Sequence, residues 1–171
     1  MTINNLTKCL LAGLAATFTA LPVLSRVDPG TADLLHLVDS YGVDVRFNTS
    51  TCDSSKAGSF GVRNGLPILT LCLDKNNITA DDHDTVRHEV WHYVQYCATP
   101  ATSDVLHPLL KDRQKHVEFT QYGLSGLAIE RIRDNYRDDH ERVELEAFAA
   151  AEIFSAEFIG KQVIAYCTPT R

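Results

Sequence analysis

Between Thr31 and Tyr41 the apolar residues Leu34, Leu35, Leu37 and Val38 recur at helical spacing, behind a threonine start and ahead of Gly42, and predict a short helix. Val43 to Phe47 alternates apolar and polar side chains and reads as a strand. Asn48 to Gly65 is crowded with Ser, Thr, Asn and Gly, the composition of a loop or hairpin. Leu66 to Leu73 is a β-prone run and predicts a second strand. Thr79 to Cys97 returns to helical spacing: Val86, Val90, Tyr93, Val94 and Cys97 form an apolar stripe, while Asp84, Thr85, His88, His92 and Gln95 share the opposite side. Asp81, Asp82 and Asp84 stand in its first turn, where carboxylates cap free N–H groups and meet the positive end of the helix dipole.

Pro100 and Pro108 then interrupt the pattern. The chain reads as helical from about Ser103, with a gap near Gly123 to Gly126. A last helix is expected from Leu127 or Asp139 to Phe158, ended by Gly160. A few strands followed by helices make an α+β domain.

The N-terminus changes the compartment. Lys8 precedes an apolar stretch, Cys9 to Leu24, that is short for a membrane span, which needs about 20 apolar residues. It reads as an export signal over residues 1–25, cleaved after Ser25, or as an uncleaved anchor. Residues 26–171 then form a single domain in a secreted or periplasmic protein, meeting a membrane only through that segment. Four cysteines remain after processing, an even number that fits two disulfides. Of three pairings, Cys52–Cys72 would tie the turn-rich loop to a strand, and Cys97–Cys167 would pin the C-terminal tail to the histidine-bearing helix. A cysteine-held zinc lacks the C-x-x-C pair it needs. The net charge of −6, without a basic run, excludes nucleic acid as the natural partner. The arginines and acids between Glu130 and Arg142 alternate in sign and read as a solvated helix face.

The chemistry lies in His88-Glu89-Val90-Trp91-His92. Residues at i and i+4 share a helix face, so both imidazoles can meet one cation, with Glu89 beside it as a base rather than a ligand. Such a site needs a third protein ligand. Gln95 and Ala98 stand where a metzincin has Gly and His, and the downstream Gly-Thr-x-x-Asp of deuterolysins is absent. Glu144 offers itself instead: it is centred on a stripe of Ala147, Phe148, Ala151, Phe154 and Phe158, where a carboxylate is costly unless paired or bound to metal. Glu146 points about 160° away and reads as exposed or at an edge. Glu141 and His140 are the alternative third ligands.

His88-Glu89-x-x-His92 followed by Glu144-x-x-Ala147 resembles the gluzincin branch of the zincin metallopeptidases. The resemblance implies a zincin-like α+β fold, with a small, mostly antiparallel sheet packed on the metal-binding helix and a helical C-terminal half. It implies Zn2+ held by His88, His92 and Glu144, with Glu89 as general base and a peptide or protein as substrate. It implies that substrate pairs with an edge strand, which Leu66 to Leu73 is placed to be. Many gluzincins follow the alanine with an aspartate that orients a histidine; Phe148 stands there. His140 is then a transition-state hydrogen-bond donor or a surface histidine. Trp91 shapes a subsite or packs against helices, and His36, His83, His107 and His116 read as structural or exposed. The expectation is an exported metallopeptidase, most naturally an endopeptidase; the alternative is a binding or structural module that keeps zinc without turnover.

Overall fold

A computed structural model describes residues 30–52, 57–74, 78–100, 105–136 and 140–169; the expected signal at residues 1–25 lies outside them. Among the described residues the chain is α+β, with six helices and a three-stranded sheet. Helix α1 (Gly30–Ser40) buries Thr31, Leu34 and Val38. It leads into β1 (Asp44–Phe47), and β2 (Gly58–Arg63) and β3 (Leu66–Leu71) form a hairpin. The hairpin turns at Asn64 and Gly65, both at positive φ, the Asn-Gly signature of a tight two-residue turn.

The strand order is β1-β3-β2, with β1 parallel and β2 antiparallel to β3. The sheet is therefore mixed rather than mostly antiparallel, and β3 is its centre, not its edge. The reason is burial: Pro67, Leu69, Thr70 and Leu71 of β3 are covered, as a strand flanked on both sides requires, whereas β2 is largely exposed. The edge facing the helices' cleft is β2, which falls in the stretch read only as loop or hairpin.

Helix α2 (Ala80–Ala98) carries both histidines. Thr79 caps it, accepting from the Asp82 N–H while the Asp82 side chain accepts from the Thr79 N–H. Its stripe of Val86, Val90, Tyr93 and Val94 is buried against the sheet and the later helices. The segment 105–112 is not helical, contrary to expectation. Pro108 supplies no N–H, and the N–H groups of Leu109 and Leu110 donate to Glu146 instead of to a helix. Helix α3 (Arg113–Gly123) starts only where Asp112 caps it. Helix α4 (Gly126–Asn135) follows the expected gap.

Helix α5 (Glu141–Ile153) is buried on two sides. Ala147 and Ala150 join the main core, while Leu145 and Ala149 join a second cluster with Leu124 and Ile132. Its run of alanines allows that close approach. The chain breaks at Phe154, where Ser155 caps α6 (Ala156–Tyr166) by accepting from the Phe158 N–H. Gly160 ends nothing: it lies inside α6 and faces α1, where a Cβ would stand 3.3 Å from Leu37 Cδ2. Its signal is close packing, not a helix stop.

Both disulfides form as expected, Cys52–Cys72 and Cys97–Cys167. They point to an oxidising, non-cytoplasmic environment. Among the described residues no helix is long and apolar enough to cross a membrane.

Candidate metal centre

His88 and His92 stand one turn apart on α2, and the packing of α5 across them brings Glu144 into the same space. The two Nε2 atoms are 3.0 Å apart. Glu144 Oε2 lies 3.3 Å from His88 Nε2, and Oε1 lies 3.5 Å from His92 Nε2. Four ligands at the usual zinc bond lengths are separated from one another by about 3.3 Å in a tetrahedron, so this triangle already has the spacing of three corners. His88 Nδ1 and Glu144 Oε2 are buried without a hydrogen-bond partner. A buried carboxylate oxygen without a close hydrogen-bond partner, facing two imidazoles, is a position that a cation would satisfy. The three residues form the only such cluster among the described residues, and they can hold a metal ion.

Gln95 orients this set. The ring of His92 uses Nδ1 on Gln95 Oε1 at 2.8 Å, which turns Nε2 toward the triangle. The same Gln95 donates from Nε2 to the Val143 carbonyl at 3.1 Å, one residue before Glu144. A single buried amide thus ties both ligand-bearing helices together. Its position three residues after His92, on the histidine side of the helix, was the available signal. His88 has no such partner; Phe148 packs on its ring at a centroid distance of 4.2 Å. The residue standing where an aspartate was expected therefore holds the imidazole by contact.

Glu89 is buried beside β2. The Phe60 N–H donates to its carboxylate, and the absence of a side chain at Gly58 makes room for it: a Cβ there would lie 2.9 Å from Glu89 Cγ. Burial, reinforced by the negative charge of Glu144, pushes Glu89 up to about 7, against the opposing pull of His92 and the Phe60 N–H. For Glu144, burial would raise the value, but His88 and His92 beside it hold it down at about 2. His88 is lowered, mainly by burial. His92 is raised: burial opposes this, and the carboxylates of Glu144 and Glu89 with Gln95 outweigh it.

His140 precedes α5, is exposed and lines the cleft, but it does not enter the donor triangle. Glu141 accepts from Arg133 Nε at 2.9 Å, outside the triangle as well. Glu146 corrects the expectation of an exposed or edge position. It is fully buried and accepts from Trp91 Nε1 at 3.1 Å, Leu109 N at 3.0 Å and Leu110 N at 3.2 Å. Burial raises its pKa, opposed by those donors. Because α5 is covered on two sides, the face away from Glu144 meets the 105–112 segment rather than water. Trp91 accordingly packs, with its ring 5.5 Å from Phe154. His83 and His116 are buried and structural, the first on Thr31 Oγ1 at 2.8 Å, the second donating to the Arg142 carbonyl at 2.8 Å.

The triangle opens into a cleft of about 970 Å3, bounded by β2 on one side and by residues from α2, the 105–106 segment and the end of α6 on the others. Tyr136 also lines it; burial, with Glu144 and Glu89 adding, raises its pKa and keeps the phenol protonated. The sequence pattern contained no signal for that role. Set against family models, curated proteins and solved structures, the chain matches none of them. Its class rests on its own geometry: an α+β domain with a His/His/Glu cluster able to bind a metal ion at the base of a cleft.

Proposed function

We propose that this chain is a small exported zinc metallopeptidase of zincin type, with His88, His92 and Glu144 as ligands and Glu89 as general base. Two imidazoles and one carboxylate suit zinc, and His88, His92 and Glu144, which would hold it, all line the cleft. When bound, zinc supplies Lewis acidity: it lowers the pKa of a water molecule to about 7 and draws electron density from a carbonyl oxygen.

The chain's own residues do the rest. The substrate backbone runs along β2, the outer strand of the sheet among the described residues, which lines the same cleft as the ligand triangle. Glu89 accepts a proton as water oxygen adds to the carbonyl carbon. It returns that proton to the departing amine as the C–N bond breaks. A carboxyl buried beside the ligand triangle and separate from it is placed for both transfers. Tyr136, protonated and lining the same cleft as both carboxylates, supplies an O–H donor for charge developing on the carbonyl oxygen, with His140 of the same lining as a second candidate.

The observation that carries this reading is the convergence of three donors with a separate, buried, high-pKa carboxyl in one cleft. A purely structural site has no need of Glu89. The test is metal analysis and peptide hydrolysis on the purified protein. One zinc per chain and chelator-sensitive cleavage are expected; Glu89→Gln keeps the zinc and loses at least about a thousandfold in turnover. Glu144→Ala weakens zinc binding. A wild-type protein that holds stoichiometric zinc but cleaves nothing favours the binding-module alternative.

A further inference from the structure

We infer that Phe60, Tyr93 and Tyr96 form a specificity pocket that takes a bulky apolar or aromatic side chain of the substrate within two residues of the scissile bond. The inference rests on the peptidase reading of the site and names its substrate class. The argument starts from the register of β2. Gly58, Phe60 and Val62 oppose Leu71, Leu69 and Pro67 on β3, so all three project toward the face that carries α2. Gly58 abuts Glu89, and the Phe60 N–H holds the Glu89 carboxylate. The Phe60 ring therefore belongs to the residue whose own N–H holds the base, and lines the cleft beside it.

At that point the cleft wall becomes aromatic. The Phe60 ring lies 6.1 Å from that of Tyr93 and 5.9 Å from that of Tyr96, and the two tyrosines stack at 6.5 Å. Tyr93 is only 2% exposed and forms the floor, while Phe60 and Tyr96 are half-buried. Leu106 completes the apolar lining of the same cleft. An extended peptide paired with β2 repeats at the strand's own spacing, so its side chain next to the reacting carbonyl meets this wall. A pocket of this kind gains from apolar burial and rings meeting at a tilt, which is worth about tenfold to a hundredfold between a large apolar side chain and none.

The experiment uses the Glu89→Gln protein loaded with zinc and a set of extended peptides differing at one position, Phe, Leu, Gly or Asp. Calorimetry is expected to give at least tenfold tighter binding for Phe and Leu than for Gly or Asp. Adding Tyr96→Ala is expected to reduce that ratio to under threefold with zinc content retained; if this variant does not fold, Phe60→Leu is read instead. In parallel, cut sites made by the wild-type protein in an unfolded protein substrate are mapped by mass spectrometry. They should cluster beside large apolar residues. Selective binding without any cleavage supports the pocket and removes the peptidase reading. Cleavage with no apolar preference overturns the pocket and leaves the peptidase. Equal affinity for all four peptides, or no binding, overturns the inference.

Discussion

A carboxyl that ionises near 7 stores a cost that the folded chain carries whenever it is ionised. Glu89 is raised by burial from 4.5 to about 7. In the metal-free protein its favourable contribution is fully present below the unfolded value and is lost as pH rises through the folded one. The window is therefore about pH 4.5 to 7, and a shift of that size corresponds to about 3 kcal/mol. Urea unfolding of chelator-treated protein at pH 5 and pH 8 should show the wild type losing ~2–3 kcal/mol more than Glu89→Gln across that interval. Equal losses would mean that Glu89 is solvated. The residues that could be read from the chain were those whose partners are local: His88, Glu89 and His92 declare themselves because a helix turn fixes their relation. Glu146 could not be, because its partners Trp91, Leu109 and Leu110 reach it only through tertiary packing, and an angle on a helix wheel does not say what lies opposite. Glu144 was legible as a carboxylate misplaced on an apolar stripe.

Between elements, β2 fits closely against α2. Gly58→Ala would place a methyl 2.9 Å from Glu89 Cγ and 3.0 Å from Thr85 Cγ2. The strand backbone is held by β3 and cannot retreat, so the Glu89 side chain must move. The expected result is a fall in kcat/KM of about tenfold or more with zinc content unchanged, since small misplacement of a base is costly. Unaltered turnover would show that Glu89 needs no such fixed seat. Periodicity gave α1, β1, β3 and α2 nearly to their ends, because each carries apolar residues in a run or at a spacing typical of its own element. It ran α5 and the start of α6 together as one helix to Phe158, missing the break where Ser155 caps a new helix. The family resemblance, not periodicity, made β3 an edge; it is the centre, since pairing partners are not written in the strand itself.

Across the whole molecule, the two covalent links act over different spans. Cys97–Cys167 closes a sequence separation of 70, and Cys52–Cys72 one of 20. Chain entropy assigns them about 4 and about 3 kcal/mol respectively. Replacing Cys97 and Cys167 by alanine should lower stability in urea by about the larger amount, and should raise KM more than it lowers kcat. That split is expected because Cys167 anchors Tyr166 and Thr168, which line the cleft, while the ligand helices keep the Gln95–Val143 and Trp91–Glu146 hydrogen bonds as their own ties. A selective loss of kcat would place the bridge's influence on the reacting groups instead.

That same bridge sets an order of assembly. Synthesis from the N-terminus completes the donor triangle at Glu144, yet the groove's far side arrives only with Tyr166 and is fastened only when thiols are oxidised. A newly made chain thus holds all three residues of the cluster before it holds the segment that closes the far wall of the cleft, and that segment is fastened covalently only under oxidising conditions.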